Sequence, residues 1–239
     1  MEMPTDMQHQ AMGYDRTATM FSPEGHLLQV EYAEKTVRLG SSSIGMVCTD
    51  GVFILADKRI DDKLIVAKSA NKIYEIDSHI IASVAGIVSD ARVLIERSQV
   101  LSQQHRVTYD SPIEPELIVK EISNLKQQFS QYGGARPFGV SLMIAGINGK
   151  KPELYTSDVT GNYLGYKANA IGEGDEKIKT KLREKYEDTI TIKKGVKVAL
   201  DIFKEIQGEK FSLNKFELVF IENDKNKVER LEGEKINKL

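Results

Sequence analysis

One serine run, one aspartate, one arginine and one lysine carry the chemistry this sequence offers. Gly40-Ser41-Ser42-Ser43-Ile44-Gly45 opens a strand-like segment, Asp57 and Arg59 close the next, and Lys72 begins a third. A hydroxyl residue freed at a chain start by cleavage after glycine can use its own α-amine as base, with a lysine nearby to lower its pKa. That is N-terminal nucleophile chemistry, with Ser41 as the nucleophile. The other reading is a connector, in which Ser41–Ser43 join a helix to a strand and Lys72 is an ordinary edge lysine. Spacing alone favours the connector. An amphipathic segment lies immediately upstream, and cleavage at Gly40 would discard residues patterned to fold.

Other chemistries find no support. His9, His26, His79 and His105 are scattered, with no metal-ligand spacing among them, so no metal or cofactor is expected. No phosphate-binding loop and no nucleophile elbow occurs, and Gly172-Glu173-Gly174 reads as a tight turn and cap. Cys48 sits in an apolar run and reads as core, and a single cysteine suits a reducing cytosol. With 33 basic and 35 acidic residues the net charge is −2, giving no electrostatic reason to bind nucleic acid or an anionic membrane. Apolar runs such as Val52–Ala56 are too short to span a bilayer, and the polar N-terminus does not read as a signal peptide. The expected location is the cytoplasm.

Periodicity and punctuation define the elements that must hold these residues. Residues 1–13 are polar and Met-rich and read as a mobile tail before a single unit over 14–239. Ser22-Pro23-Glu24-Gly25 is a turn. Leu27, Val30, Ala33 and Val37 then recur at helical spacing, predicting a helix over 26–39 with a Glu31–Lys35 pair and Gly40 as its C′ stop. Asp50-Gly51 predicts a hairpin of Ser43–Cys48 and Val52–Asp57, and Ile73–Ile76 and Ile80–Ala85 flank Asp77-Ser78. Two helices follow, one capped by Ser89 and one with Pro115 in its first turn. Strands are expected at Val140–Ile147, Leu154–Thr156, Asn162–Gly165 and Ala168–Ile171, then a helix through Ile178, Leu182 and Tyr186. A Thr191-capped helix runs to near Gly208, a strand covers Phe216–Ile221, and the charged tail from Asn226 is expected to be helical. Strands cluster in hairpins and helices in pairs. Two antiparallel sheets with a helix pair on each outer face would bury every apolar stripe, an α+β arrangement whose layer order periodicity does not choose.

The segment from Phe21-Ser22-Pro23-Glu24-Gly25 to Ile44-Gly45 closely resembles the N-terminal signature of proteasome α subunits, as does Tyr14-Asp15-Arg16 before it. Asp57-Lys58-Arg59, Asn71-Lys72-Ile73, Ala85-Gly86, Ser89-Asp90-Ala91-Arg92 and Tyr132-Gly133-Gly134-Ala135-Arg136-Pro137-Phe138-Gly139 fit the same family. The resemblance spans about Tyr14 to Glu222, and a version without large insertions looks archaeal.

The resemblance implies a four-layer αββα sandwich of the N-terminal nucleophile hydrolase fold, with an extra N-terminal helix across its top. It implies a subunit of the 20S core particle, a threonine-type protease complex whose active sites lie on β subunits. The α subunits would form outer heptameric rings with neighbouring α subunits, cap the β rings, and pass unfolded polypeptide substrates. Ser41 holds the place of the catalytic threonine and Asp57, Arg59 and Lys72 those of its partners. No catalytic residue is assigned, because the upstream helix is retained. Residues 1–13 match the gating tail. Tyr14, Asp15, Pro23 and Tyr32 match the cluster that stabilises the open gate, although Pro23 and Tyr32 also suit plain turn and helix packing. Lys72 matches the anchor for the C-terminal carboxylate of a regulatory AAA+ ATPase ending in hydrophobic-Tyr-any residue, with Leu27, Glu31 and Gly40 in the same docking pocket. Tyr132, Gly133 and Gly134 match the loop that narrows the pore, and equally a helix C-cap. The alternative kept open is an autoprocessed N-terminal-serine hydrolase acting through Ser41.

Overall fold

The computed structural model describes residues 12–59, 62, 64–225 and 227–239. Among the described residues, ten strands form two five-stranded antiparallel sheets. The first sheet holds β1 (Ser43–Cys48), β2 (Gly51–Asp57), β8 (Ala168–Ile171), β9 (Phe216–Glu222) and β10 (Val228–Glu232), in the order β10-β9-β2-β1-β8. The second holds β3 (Ile73–Asp77), β4 (Ile80–Gly86), β5 (Val140–Asn148), β6 (Lys151–Ser157) and β7 (Tyr163–Gly165), in sequence order. Five α-helices are described: α1 (Leu28–Leu39), α2 (Val88–Tyr109), α3 (Pro115–Gln131), α4 (Asp175–Lys185) and α5 (Ile192–Gln207).

Three apolar layers fix the order that periodicity left open. Val52, Ile54, Ile81, Met143 and Val219 fill the space between the sheets. On the far side of the first sheet, Phe53, Phe216 and Phe220 pack under Ile178 of α4 and Val196, Ile202 and Phe203 of α5. On the far side of the second, Ala82, Leu142 and Ile144 pack under Leu94 of α2 and Ile118 and Ile122 of α3. The central strands β2 and β5 are buried along nearly their whole length because both their faces are covered. Each fully buried Leu, Ile or Phe contributes roughly 1.5–3 kcal/mol, and only this stacking covers all three apolar sets. The result is a four-layer αββα sandwich. A smaller cluster of Val30, Ala33 and Val159 holds α1 against the sandwich.

Several local expectations are corrected. The segment after Asn226, expected as a helix, is strand β10 followed by a 3-10 turn over Gly233–Lys238, Asn226 itself lying outside the described residues. Pairing with β9 from Val228↔Ile221 to Glu232↔Glu217 gives its backbone a ladder that outweighs helix propensity. Helix α1 starts at Leu28 rather than 26, and Glu31 takes His26 Nδ1 at 2.6 Å instead of Lys35, whose ammonium lies 5.2 Å from the Tyr32 ring centroid. Helix α2 begins at Val88 with Ile87 at its N-cap, so Ser89 is already inside it. Thr191 occupies the N-cap of α5, but the capping oxygen is Asp50 Oδ1, which accepts the Ile192 N–H at 2.8 Å. Gly40 ends α1 in an extended conformation, φ −69° and ψ 146°, not the left-handed one of a C′ glycine. Residues 1–11 of the expected tail lie outside the described residues.

Candidate functional site

A cleft beside the C-terminal end of α1 gathers Ser41, Asp57, Arg59 and Lys72. Lys72, at the start of β3, is 9% exposed. Its ammonium donates to the Ser41 carbonyl and, at 2.7 Å, to Ser41 Oγ. Burial pushes the Lys72 pKa down to about 7; Asp57 and Glu217 oppose the fall and Arg59 adds to it. The backbone beneath is pinned by Glu217, fully buried on β9. Its Oε1 accepts the N–H groups of Lys72 at 2.5 Å and Ile73 at 2.8 Å, while Oε2 takes Arg230 Nη1 at 2.7 Å. Arg230 Nη2 donates onward to the Ile73 carbonyl at 2.9 Å. Burial raises the Glu217 pKa, and the two N–H donors and Arg230 pull it back.

Asp57 and Arg59 lie beside the Ser41–Lys72 pair, the Asp57 N–H donating to Ser42 O at 3.0 Å. Asp57 Oδ1 accepts the Arg59 N–H at 2.9 Å and its Oδ2 accepts Gln207 Nε2 at 2.8 Å. Arg59, held at φ +46°, ion-pairs with Glu173. Both flanks of Ser41 are tied to Glu173: Gly40 O accepts the Glu173 N–H at 2.8 Å, and Ser42 Oγ donates to Glu173 O at 2.6 Å. Ser41 Oγ faces a lysine, but the base of N-terminal nucleophile chemistry requires cleavage of the Gly40–Ser41 bond.

Beside this pair a pocket of about 250 Å³ opens to solvent. Lys72, Lys58 and Asn71 give it polar walls, and Tyr74, Val84 and Val88 give it apolar ones. Gly40 forms part of its rim, against Gly86. A Cβ on Gly40 would lie 2.5 Å from Gly86 N, a backbone atom that side-chain motion cannot clear. Gly40 is thus required for close approach of two chain segments, not for a left-handed turn. Gly40→Ala is expected to cost about 1–3 kcal/mol of stability as overpacking, read as a lowered thermal midpoint; an unchanged midpoint would remove this constraint.

The remaining sequence-singled residues divide into three groups. Leu27 and Glu31 stand at the start of α1, about 20 and 14 Å along the helix from Gly40 at 1.5 Å per residue. Neither lines the Lys72 pocket of its own chain. Tyr14 and Asp15 are half-buried, Pro23 is exposed in its turn and Tyr32 is half-buried on α1. The segment is tied to α1 by Gln29 Nε2, which donates to Asp15 O at 2.5 Å, and the turn is closed by Ser22 Oγ, which accepts the His26 N–H at 3.1 Å. Tyr132 is 69% exposed at the end of α3, and Gly133 and Gly134 follow in open space, Gly134 at φ +86°. That exposed loop has a firm base. Arg136 makes a two-pronged pair with Asp90 at 2.6 and 2.7 Å, Asp90 also accepts the Gly139 N–H at 3.0 Å, and Thr36 of α1 donates to Gly139 O at 3.0 Å.

Two family models match this chain. The N-terminal signature of proteasome A subunits covers residues 14–35, and the proteasome subunit family covers residues 37–221. The chain belongs to the proteasome family, as an α-type member. Among curated relatives, the proteasome subunit alpha of Pyrococcus horikoshii is 42% identical over 95% of this chain and 86% of its own length. That of Archaeoglobus fulgidus is 49% identical over 75% and 73%, and that of Methanosarcina thermophila 41% over 94% and 91%. Among the described residues no helix is long and apolar enough to cross a membrane.

With this α-type proteasome fold in hand, three site residues emerge that sequence reasoning passed over: Glu217, Arg230 and Lys58. Glu217 sits in an apolar strand and Arg230 in a segment expected to be helical. Lys58 was visible only as the middle of Asp57-Lys58-Arg59, yet its side chain is buried and its ammonium reaches Asn71 Oδ1 at 3.2 Å and Glu232 at 3.4 Å. The one available signal was a charged residue at an inward position of strand Phe216–Ile221.

Proposed function

We propose that this chain is the non-catalytic α subunit of a 20S proteasome core, forming the outer seven-membered rings of a cytoplasmic particle. There it gates substrate entry to a threonine-type protease chamber of β subunits. It also docks the C-termini of a regulatory AAA+ ATPase, supporting ATP-dependent degradation of unfolded chains. The observation that carries the docking role is the Lys72 ammonium on the wall of an open pocket with apolar sides. Such a pocket suits a peptide C-terminus, the carboxylate meeting the ammonium and the adjoining side chains meeting Tyr74, Val84 and Val88. The separation of Leu27 and Glu31 from Lys72 along α1 supports a pocket completed by a neighbouring copy.

The Ser41–Lys72 contact at 2.7 Å favours a second reading, an autoprocessed N-terminal-serine hydrolase. The packed α1 speaks against it, since Leu28, Val30 and Ala33 would leave the sandwich with residues 1–40. Native mass spectrometry of the chain, alone and with a β partner, decides between them. Uncleaved subunits in rings of seven, joining β into a barrel, are expected. A monomer beginning at Ser41 would overturn the ring-subunit reading.

Tyr14, Asp15, Pro23 and Tyr32 would latch the base of the tail, and Tyr132, Gly133 and Gly134 would line the constriction below it. Deleting residues 1–12 should raise unstimulated hydrolysis of small peptides by the assembled barrel severalfold. Hydrolysis unchanged by the deletion would mean that the tail is not the barrier.

A further inference from the structure

The last strand turns two charged residues toward the space between the sheets. Along β10, Val228, Arg230 and Glu232 share one face. Val228 packs against the apolar layer between the sheets, and Arg230 reaches across to β3 of the second sheet. The facing position of β9 is charged as well. Glu217 stands directly opposite Glu232 in the register, on the same face as Val219 and Ile221. Two carboxylates opposite one another repel. Each is answered by a cation. Arg230 Nη1 donates to Glu217 Oε2 at 2.7 Å, and the buried Lys58 ammonium reaches Glu232 Oε1 at 3.4 Å.

Both links continue to the Lys72 pocket. Lys58 lines it and donates to Asn71 Oδ1, the residue before Lys72. Glu217 Oε1 accepts the N–H groups of Lys72 and Ile73, and Arg230 Nη2 donates to the Ile73 carbonyl. Ile73 begins β3, an edge strand. The Glu217–Arg230 pair thus takes both its N–H and its C=O, in the place of a further strand, and so fixes the backbone from which the Lys72 side chain leaves. Buried ion pairs are poor stabilisers, because apolar side chains of similar volume serve as well or better. What this network supplies is position and charge at Lys72. We propose that Glu217 and Arg230, backed by the Glu232–Lys58 pair, are positioning residues for activator docking: they hold Lys72 in the pocket wall, ready for a C-terminal carboxylate, so that β9 and β10 set docking affinity. The role rests on the docking reading above and adds the residues that make Lys72 competent. The charged groups acting on the ammonium are Asp57 and Arg59 after β2 and Glu217 on β9; Asp57 and Glu217 raise the Lys72 pKa and Arg59 lowers it. Lys58, Arg230 and Glu232 form the outer part of the network, and Tyr74 of β3 stands on the pocket wall.

Fluorescence anisotropy tests this, with a labelled synthetic peptide ending in Leu-Tyr-Ala titrated by assembled full-length subunits across a pH series. Glu217→Gln keeps the shape and the carbonyl that can accept both N–H groups, and removes the charge that raises the Lys72 pKa. The pH above which affinity falls should move below that of wild type, and affinity just above neutrality should drop at least about fivefold, within the range for side chains of one network. Arg230→Lys keeps the charge and loses the fork that joins Glu217 to the Ile73 carbonyl. Its affinity should drop about fivefold with the pH profile unmoved. Native mass spectrometry reports whether each variant still assembles. Should Glu217→Gln fail to do so, Arg230→Lys decides, at a side chain 24% exposed. A network that only braces the two sheets would lower the thermal midpoint and leave affinity and pH profile at wild-type values, and that result would overturn the proposal. Undiminished peptide affinity in Lys72→Met would instead remove the docking reading itself.

Discussion

Replacing Lys72 by methionine is expected to abolish stimulation by an ATPase C-terminal peptide, while unstimulated peptide hydrolysis by the assembled barrel stays within twofold of wild type. Methionine keeps most of the side-chain length and loses the charge. Truncating one partner of a buried charge pair costs roughly 2–5 kcal/mol, which is at least tenfold in peptide affinity. Lys72→Arg should not restore binding, because a planar guanidinium cannot occupy the place of a compact ammonium held against Ser41 O and Oγ. The wild-type pocket should also be pH-sensitive. In the empty pocket burial holds the Lys72 pKa at about 7, and a bound carboxylate would raise it. Binding then takes up a proton above neutrality, so affinity should fall with rising pH from 7 toward 9, by up to about tenfold per unit. Fluorescence anisotropy with a labelled C-terminal peptide at pH 6.5, 7.5 and 8.5 checks both points. Affinity independent of pH, or undiminished in Lys72→Met, would remove Lys72 from the docking role.

Lys126→Met should raise stability at pH 7 and flatten its pH dependence. Lys126, on α3, has no exposed surface, and its ammonium donates only to Ser157 O at 3.2 Å and Ser157 Oγ at 3.3 Å among the described residues. Burial lowers its pKa to about 7, with Asp158 opposing. The sign follows from comparing states. Below pH 7 the folded and unfolded chains both carry the proton, and folding bears the whole cost of burying the charge. Between 7 and the ordinary lysine value of about 10.4 only the unfolded chain holds it, so stability rises with pH, by up to about 1.4 kcal/mol per unit. Lys72 acts in the same direction, which leaves a residual slope in the variant. Above about pH 8.5 Cys48 works the other way, its thiol being pushed up to about 12 by burial. The clean window is therefore pH 7 to 8.5. Each kcal/mol is about 2–4 °C for a chain of this length. The wild-type midpoint should climb by several degrees across the window, and that of Lys126→Met should start higher and climb less. A variant less stable than wild type throughout would show that the Lys126–Ser157 contacts outweigh the cost of the buried charge.

Much of this molecule was legible without coordinates. The hairpin at Asp50-Gly51, the strand Ala168–Ile171, the proline-started α3 and the apolar stripes of every helix facing a sheet follow from rules that act over a few residues: turn chemistry, periods of 2 and 3.6, and helix-start preferences. The signature around Gly40, Ser41 and Lys72 is likewise local text. What the sequence could not determine depends on chain segments far apart in number. The segment around Val228 has helix-compatible composition and becomes a strand only because β9 offers an open edge. Gly40 has the position of a helix stop, and its true constraint, the Gly86 backbone 2.5 Å from where a Cβ would stand, is 46 residues away. Glu217, 145 residues from Lys72, positions the backbone of that lysine and has no marker in its neighbourhood. The sequence by itself determined most of the elements, the family, and Ser41, Asp57, Arg59 and Lys72 of the serine–lysine cleft. Only the tertiary structure decided the layer order, the burial that brings Lys72 near neutrality, and the separation of Leu27 and Glu31 from the pocket. Each of these is set by desolvation or excluded volume between distant segments, which spacing along the chain does not encode.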